Sequence, residues 1–163
     1  MRIVPLVGAV ALALVVAQPA RAQWKFGPEV SWASNSFGVG IGARAEVNLV
    51  SMIPSAKNFS AIGSFDYFFP STGIGGPSPS YWEINVDGAY HFDIPSVKAI
   101  APYAGAGLDI GHLSYMGYGA SEVGLNLMGG TNFKPLGKVI PFAELRIELR
   151  TASAIVLTGG VLF

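Results

Sequence analysis

The chain has 163 residues, ten Lys+Arg against ten Asp+Glu, and no cysteine. The charge balance excludes the basic footprint of a nucleic-acid-binding protein, and the lack of Cys excludes a disulfide framework, a thiolate metal site and a lipidated N-terminal cysteine. With 21 Gly and only 12% charged residues, the chain has too few charges to clothe an ordinary soluble surface.

The N-terminus has the three parts of an export signal. Met1-Arg2 is a short positive start, Ile3 to Val16 is apolar, and Ala20-Arg21-Ala22 is a small-x-small cleavage site. The apolar run falls short of the ~20 residues a spanning helix needs. A cleaved secretory signal is therefore expected over 1–22 and one domain over 23–163. Removing Arg2 and Arg21 with the leader leaves eight basic residues against ten acidic ones.

From Trp24 onward the chain reads in period two, the mark of strands whose faces meet different environments. Trp24, Phe26, Val30 and Trp32 alternate with Lys25, Gly27, Glu29 and Ser31. After a break at 33–36, Phe37, Val39, Ile41, Ala43, Ala45, Val47 and Leu49 alternate with Gly38, Gly40, Gly42, Arg44, Glu46 and Asn48. A turn over 51–59 precedes a third strand over about 60–69, where the pattern is weakest because Ile62 and Phe68 fall on the polar side. Residues 70–80 (PSTGIGGPSPS) read as a loop. The fourth strand sets Trp82, Ile84, Val86, Tyr90 and Phe92 against Tyr81, Glu83, Asn85, Asp87 and His91. The fifth sets Leu108 and Ile110 against Tyr103 and Asp109, and 114–120 reads as a Gly and Tyr loop. The sixth sets Val123, Leu125 and Leu127 against Glu122, Asn126 and Met128. The seventh alternates Leu145, Ile147 and Leu149 with Glu144, Arg146, Glu148 and Arg150, and an eighth returns to Phe163. Eight strands and no helix beyond the leader imply an all-β, antiparallel up-and-down barrel.

Three features indicate that the apolar face looks outward. Aromatics gather at strand ends with aliphatics between them, as where a strand crosses two lipid headgroup zones. The polar face is dense in Gly, as a narrow interior crowded by long side chains requires. Lys57, Lys98, Lys134 and Lys138 all fall in alternate turns, so they share one rim with the N-terminus and Phe163. Eight strands closed on themselves leave no free edge, and a bilayer tolerates none. A soluble lipocalin-like carrier, with its apolar face inward, is the less suitable reading.

The segments Pro102-Tyr-Ala-Gly-Ala-Gly-Leu108, Pro141-Phe-Ala-Glu-Leu-Arg146 and Leu157-Thr-Gly-Gly-Val-Leu-Phe163 carry a resemblance. The chain resembles the small eight-stranded outer-membrane barrels of Gram-negative bacteria, of the OmpA/OmpX type. The resemblance implies a transmembrane barrel in the cell outer membrane and contact with outer-membrane lipid and lipopolysaccharide. It also implies assembly by the barrel-assembly machinery with periplasmic chaperones, with Phe163 as part of the assembly signal. The external ligand is not identified by it.

The polar face places Glu29, Arg44, Glu46, Asp66, Glu83, Asp87, Asp109, Glu144, Arg146, Glu148 and Arg150 in the lumen. A plug of salt bridges is the expected role, since eight-stranded interiors are filled by side chains; a narrow ion pore is the alternative. One catalytic-looking cluster exists. His112, Ser114 and Glu122 could form the Ser, His and carboxylate of a lipid A acyl hydrolase or acyltransferase, although Glu122 has the opposite parity. Two isolated histidines give no metal site, no cofactor is implied, and a non-catalytic barrel with a structural or surface-interaction role is the expectation.

Overall fold

The computed structural model describes residues 24–70 and 79–163. The expected signal peptide and most of the 70–80 loop lie outside the described residues. Eight strands follow one another: β1 (Trp24–Ala33), β2 (Gly38–Asn48), β3 (Phe59–Phe68), β4 (Ser80–His91), β5 (Ile100–Tyr115), β6 (Tyr118–Phe133), β7 (Ile140–Leu149) and β8 (Ala154–Leu162). Each pairs antiparallel with its neighbours in sequence, and β8 pairs with β1 to close the barrel. Closure is completed beyond β8, where Phe163 and Phe26 exchange backbone hydrogen bonds.

The strand period sets the two faces. Side chains alternate across the wall, so Val30, Val86, Val123 and Leu125 stand more than half exposed on the outside. Their neighbours Glu29, Asp87 and Asn126 are buried inside. The two residues that broke the pattern in β3 are lumenal. Ile62 packs with Ala89, Tyr103 and Met128, and Phe68 packs with Ala33, Tyr81 and Val156. These two apolar clusters flank the polar interior, the Phe68 cluster toward the β1–β2 turn and the Ile62 cluster toward the opposite rim.

One expectation is corrected. Residues 114–120 are not a loop: β5 and β6 pair continuously out to Tyr115↔Tyr118, around a two-residue turn at Met116 and Gly117. Both turn residues have positive φ, 50° and 84°, as in the tight hairpin turns that match strand twist. Pairing of β6 with β7 begins only at Leu125↔Leu149. The tip of the β5–β6 hairpin therefore stands above the β7 side of the barrel wall.

Candidate functional site

The barrel interior holds a ladder of ion pairs reaching from wall to wall. Arg44 on β2 donates to Glu144 at 2.7 Å, and Arg146 on β7 donates to the other oxygen of Glu144 at 2.9 Å. Arg146 also reaches Glu83 on β4 at 3.5 Å. Arg150, just beyond β7, reaches Glu83 at 3.5 Å and Asp109 on β5 at 2.8 Å, and it is bonded to Glu148. Glu144 thus bridges two arginines, and Glu83 bridges Arg146 to Arg150. Two tyrosine hydroxyls extend the ladder: Tyr103 donates to Glu144 at 2.8 Å and Tyr81 to Glu83 at 2.9 Å. The guanidiniums lie over rings as well, Arg44 at 4.4 Å from the Phe142 centroid and Arg150 at 5.4 Å from that of Tyr81.

Burial decides what this ladder can do. The side chains of Arg44, Glu144 and Glu83 are 0% exposed and Arg146 1%. Separating such charges without a partner is strongly unfavourable, so the geometry is held by mutual neutralisation. Small residues make the room. A Cβ on Gly111 would stand 2.5 Å from both Arg150 Nη1 and the Tyr81 hydroxyl, and one on Gly130 2.5 Å from the Tyr103 hydroxyl. The lumen is thus packed tightly enough that no lumenal methyl fits at either position.

Asp66 and Asp87 have polar rather than cationic partners. Asp66 accepts from Ser31 at 2.9 Å, and Asp87 from Asn126 at 3.1 Å. Glu29 is 2% exposed, and neither it, Asp66 nor Asp87 makes an ion pair among the described residues. Glu46 lies nearer the rim shared by Trp24 and Phe163, where Lys25 meets it at 3.1 Å. His91 bonds Ser60 at 2.8 Å beside it. Among the described residues no group of three His, Cys, Asp or Glu is placed to hold a metal ion.

His112, Ser114 and Glu122 are not brought together. His112 and Ser114 lie on the outward face, where the His112 ring stacks on Trp82 with centroids 5.2 Å apart. Its Nδ1 bonds the hydroxyl of Ser121 at 2.8 Å, not that of Ser114. Glu122 has the opposite parity and accepts from the Thr151 amide at 2.6 Å. It lines a cavity of about 330 Å³ at the mouth, with Phe37, Tyr81, Arg150 and Thr151. Sequence reasoning missed the hydroxyls of Tyr81 and Tyr103 as members of the ion-pair ladder. Their parity put them inside, but only cross-strand register shows which carboxylates they meet.

No protein family matches the sequence, and no curated protein matches it. Solved structures do. The chain is similar to the Neisserial surface protein A at 16% identity and a TM-score of 0.58, covering 85% of this chain and 94% of that one. It is similar to the N-terminal β-barrel domain of OprF from Pseudomonas aeruginosa at 15% identity and a TM-score of 0.57, covering 88% and 100%. A third match is Ail, the attachment invasion locus protein of Yersinia pestis, at 16% identity and a TM-score of 0.53, covering 87% and 97%. The chain has the fold of the small eight-stranded outer-membrane barrels.

Proposed function

We propose that this chain is a non-catalytic integral barrel of the cell outer membrane, sealed to ions, with a structural or surface-interaction role in the envelope. The observation that carries this reading is the filled lumen: Arg146, fully buried, is held between Glu83 and Glu144, and apolar clusters flank the ladder. An ion would have to break several mutually neutralised pairs to pass, at a cost of several kcal/mol each. The outward aliphatic surface supports insertion, because exposed apolar area on this scale is stable only in lipid. Lipid and lipopolysaccharide are then its surroundings, and the barrel-assembly machinery and periplasmic chaperones its biogenesis partners.

A surface role, where present, belongs to the β5–β6 hairpin. Its tip carries Met116 at 68% and Tyr118 at 84% exposure, and the other described turns on that side are short. Single-channel recording in planar bilayers tests the sealed lumen. The protein should insert without stepwise conductance, and steady openings would replace this reading by the narrow ion pore.

A further inference from the structure

The four turn lysines are not absorbed by the lumen. Lys57, Lys98, Lys134 and Lys138 are all exposed and make no ion pair among the described residues. They occupy three successive turns on the rim shared by Trp24 and Phe163. Backbone hydrogen bonds tie these turns to their neighbours: the His91 amide donates to Asn58 carbonyl oxygen at 2.8 Å, and the Lys134 amide to that of Ala99 at 2.9 Å. The lysines therefore form one arc along the rim, from the β2–β3 turn to the β6–β7 turn. Asp93 is the one acid in those turns.

The same turns expose aliphatic side chains. Ile53 is 51% exposed, Ile94 41% and Leu136 72%, one in each turn. Just inside them on the outer wall stand Phe59, Tyr90 and Phe133, with the Phe59 and Tyr90 rings 5.1 Å apart. Aromatic rings of this kind mark the headgroup depth of a bilayer. A segment that mixes lysines with exposed aliphatics at that depth seats its apolar groups at the acyl boundary and its ammonium groups among phosphates.

The opposite rim differs. Its described turns, 34–37, 116–117 and 150–153, hold one basic residue, Arg150, whose guanidinium is turned inward to Asp109, Glu83 and Glu148. Residues 70–80 contain no Lys or Arg.

From this asymmetry we infer that the lysine arc is a binding surface for anionic phospholipid headgroups, in the leaflet that borders the Trp24 and Phe163 rim. The partner is a lipid surface bearing phosphate monoanions, and the barrel selects it on one side only. The inference rests on the membrane-barrel reading and adds a lipid preference to it.

Brominated lipids test it. Trp24, Trp32 and Trp82 are the three tryptophans of the chain. Replacing all three by Phe and making Phe133→Trp puts a single indole beside Lys134; retaining Trp82 alone reports the other half of the wall. Each protein, purified from membranes, is reconstituted in mixed phosphatidylglycerol and phosphatidylcholine vesicles in which one lipid or the other is brominated. Bromine on phosphatidylglycerol should quench the position-133 indole at least about threefold more effectively per lipid, with no such preference at Trp82. The preference should vanish in the Lys57→Gln/Lys98→Gln/Lys134→Gln/Lys138→Gln variant. It should also vanish in unsubstituted lysine background at about 1 M NaCl, where the screening length is ~3 Å; this arm decides the matter if the fourfold variant does not fold. Equal quenching by both lipids at position 133, a preference equally strong at Trp82, or a preference indifferent to both salt and the lysines would overturn the inference. An arc that serves an acidic macromolecule instead would give the first of these results. Failure of membrane insertion is distinguishable, since it would abolish quenching by either lipid together with the heat-modifiable form.

Discussion

Phe26 and Phe163 face one another across the seam of the barrel, each donating its amide to the other's carbonyl, at 3.4 and 2.9 Å. This pair extends the β1–β8 register beyond its regular part, Glu29↔Gly160 to Ala33↔Val156. The seam is the one place where strands distant in sequence must meet. An unpaired edge in hydrocarbon leaves backbone groups unsatisfied at several kcal/mol each.

Deleting Phe163 should therefore impair closure more than its single side chain suggests. The expected outcome is a marked fall in heat-modifiable, membrane-inserted protein, read by comparing unheated and boiled samples on gels. Wild-type levels of the folded form would remove Phe163 from any role in assembly.

Arg146 should be the most sensitive position of the interior. Arg146→Met leaves Glu83 and Glu144 buried with one cation fewer, and loss of one partner from a buried pair costs about 3–5 kcal/mol. Combining it with Glu144→Gln should cost less than the sum of the two single changes, because the Arg146–Glu144 pair is counted in both single changes and lost only once in the double. Urea unfolding in lipid vesicles measures both, and strict additivity would mean that the two groups are not coupled.

The outer wall and the ion-pair ladder were legible in the sequence to different degrees. β7 showed its faces fully, because every inward position from Glu144 to Arg150 is charged. In β8 the inward Val156 and the outward Leu157 are both aliphatic, so polarity alone cannot assign its faces; the register with β7 and β1 does. The β5–β6 tip was misread because Gly, Ser and Tyr between Ser114 and Ala120 carry little polarity contrast, although Met116-Gly117 is a turn pair. Ile62 and Phe68 looked like defects of an amphipathic strand, and they are the apolar layers that flank the charges. Which acid meets which arginine was not legible at all, since those pairs join β2, β4, β5 and β7 across the lumen.

Lumenal glycines should be harder to replace than outward ones. Gly111→Ala places a methyl against Arg150 and Tyr81, whereas a Cβ on the outward Gly129 would have its nearest contact at 3.9 Å, from the Tyr103 carbonyl oxygen. Overpacking costs typically about 1–3 kcal/mol, so Gly111→Ala should lower the unfolding midpoint and Gly129→Ala should leave it nearly unchanged. Equal effects at the two positions would contradict the tight lumen.

Replacing His112, Ser114 and Glu122 together by Ala should leave insertion and lipid A composition unchanged, since the three side chains do not share a site. Mass spectrometry of lipid A from strains carrying the parent or the triple variant checks this. Loss of a lipid A modification in a folded triple variant would establish the acyl hydrolase or acyltransferase.

If the aliphatic face meets lipid and the charged face fills the lumen, adjacent residues of one strand must meet different surroundings. The chain has no cysteine, so single nitroxide labels at Leu125→Cys and Asn126→Cys report neighbouring positions on opposite faces of β6. Leu125 is 56% exposed on the outer wall and Asn126 is 1% exposed inside. In bilayers the label at 125 should collide freely with dissolved oxygen and hardly with a water-soluble nickel chelate, while the label at 126 should be immobile and protected from both. Free collision of the 126 label with oxygen, beside protection of the 125 label, would mean that the barrel is turned inside out.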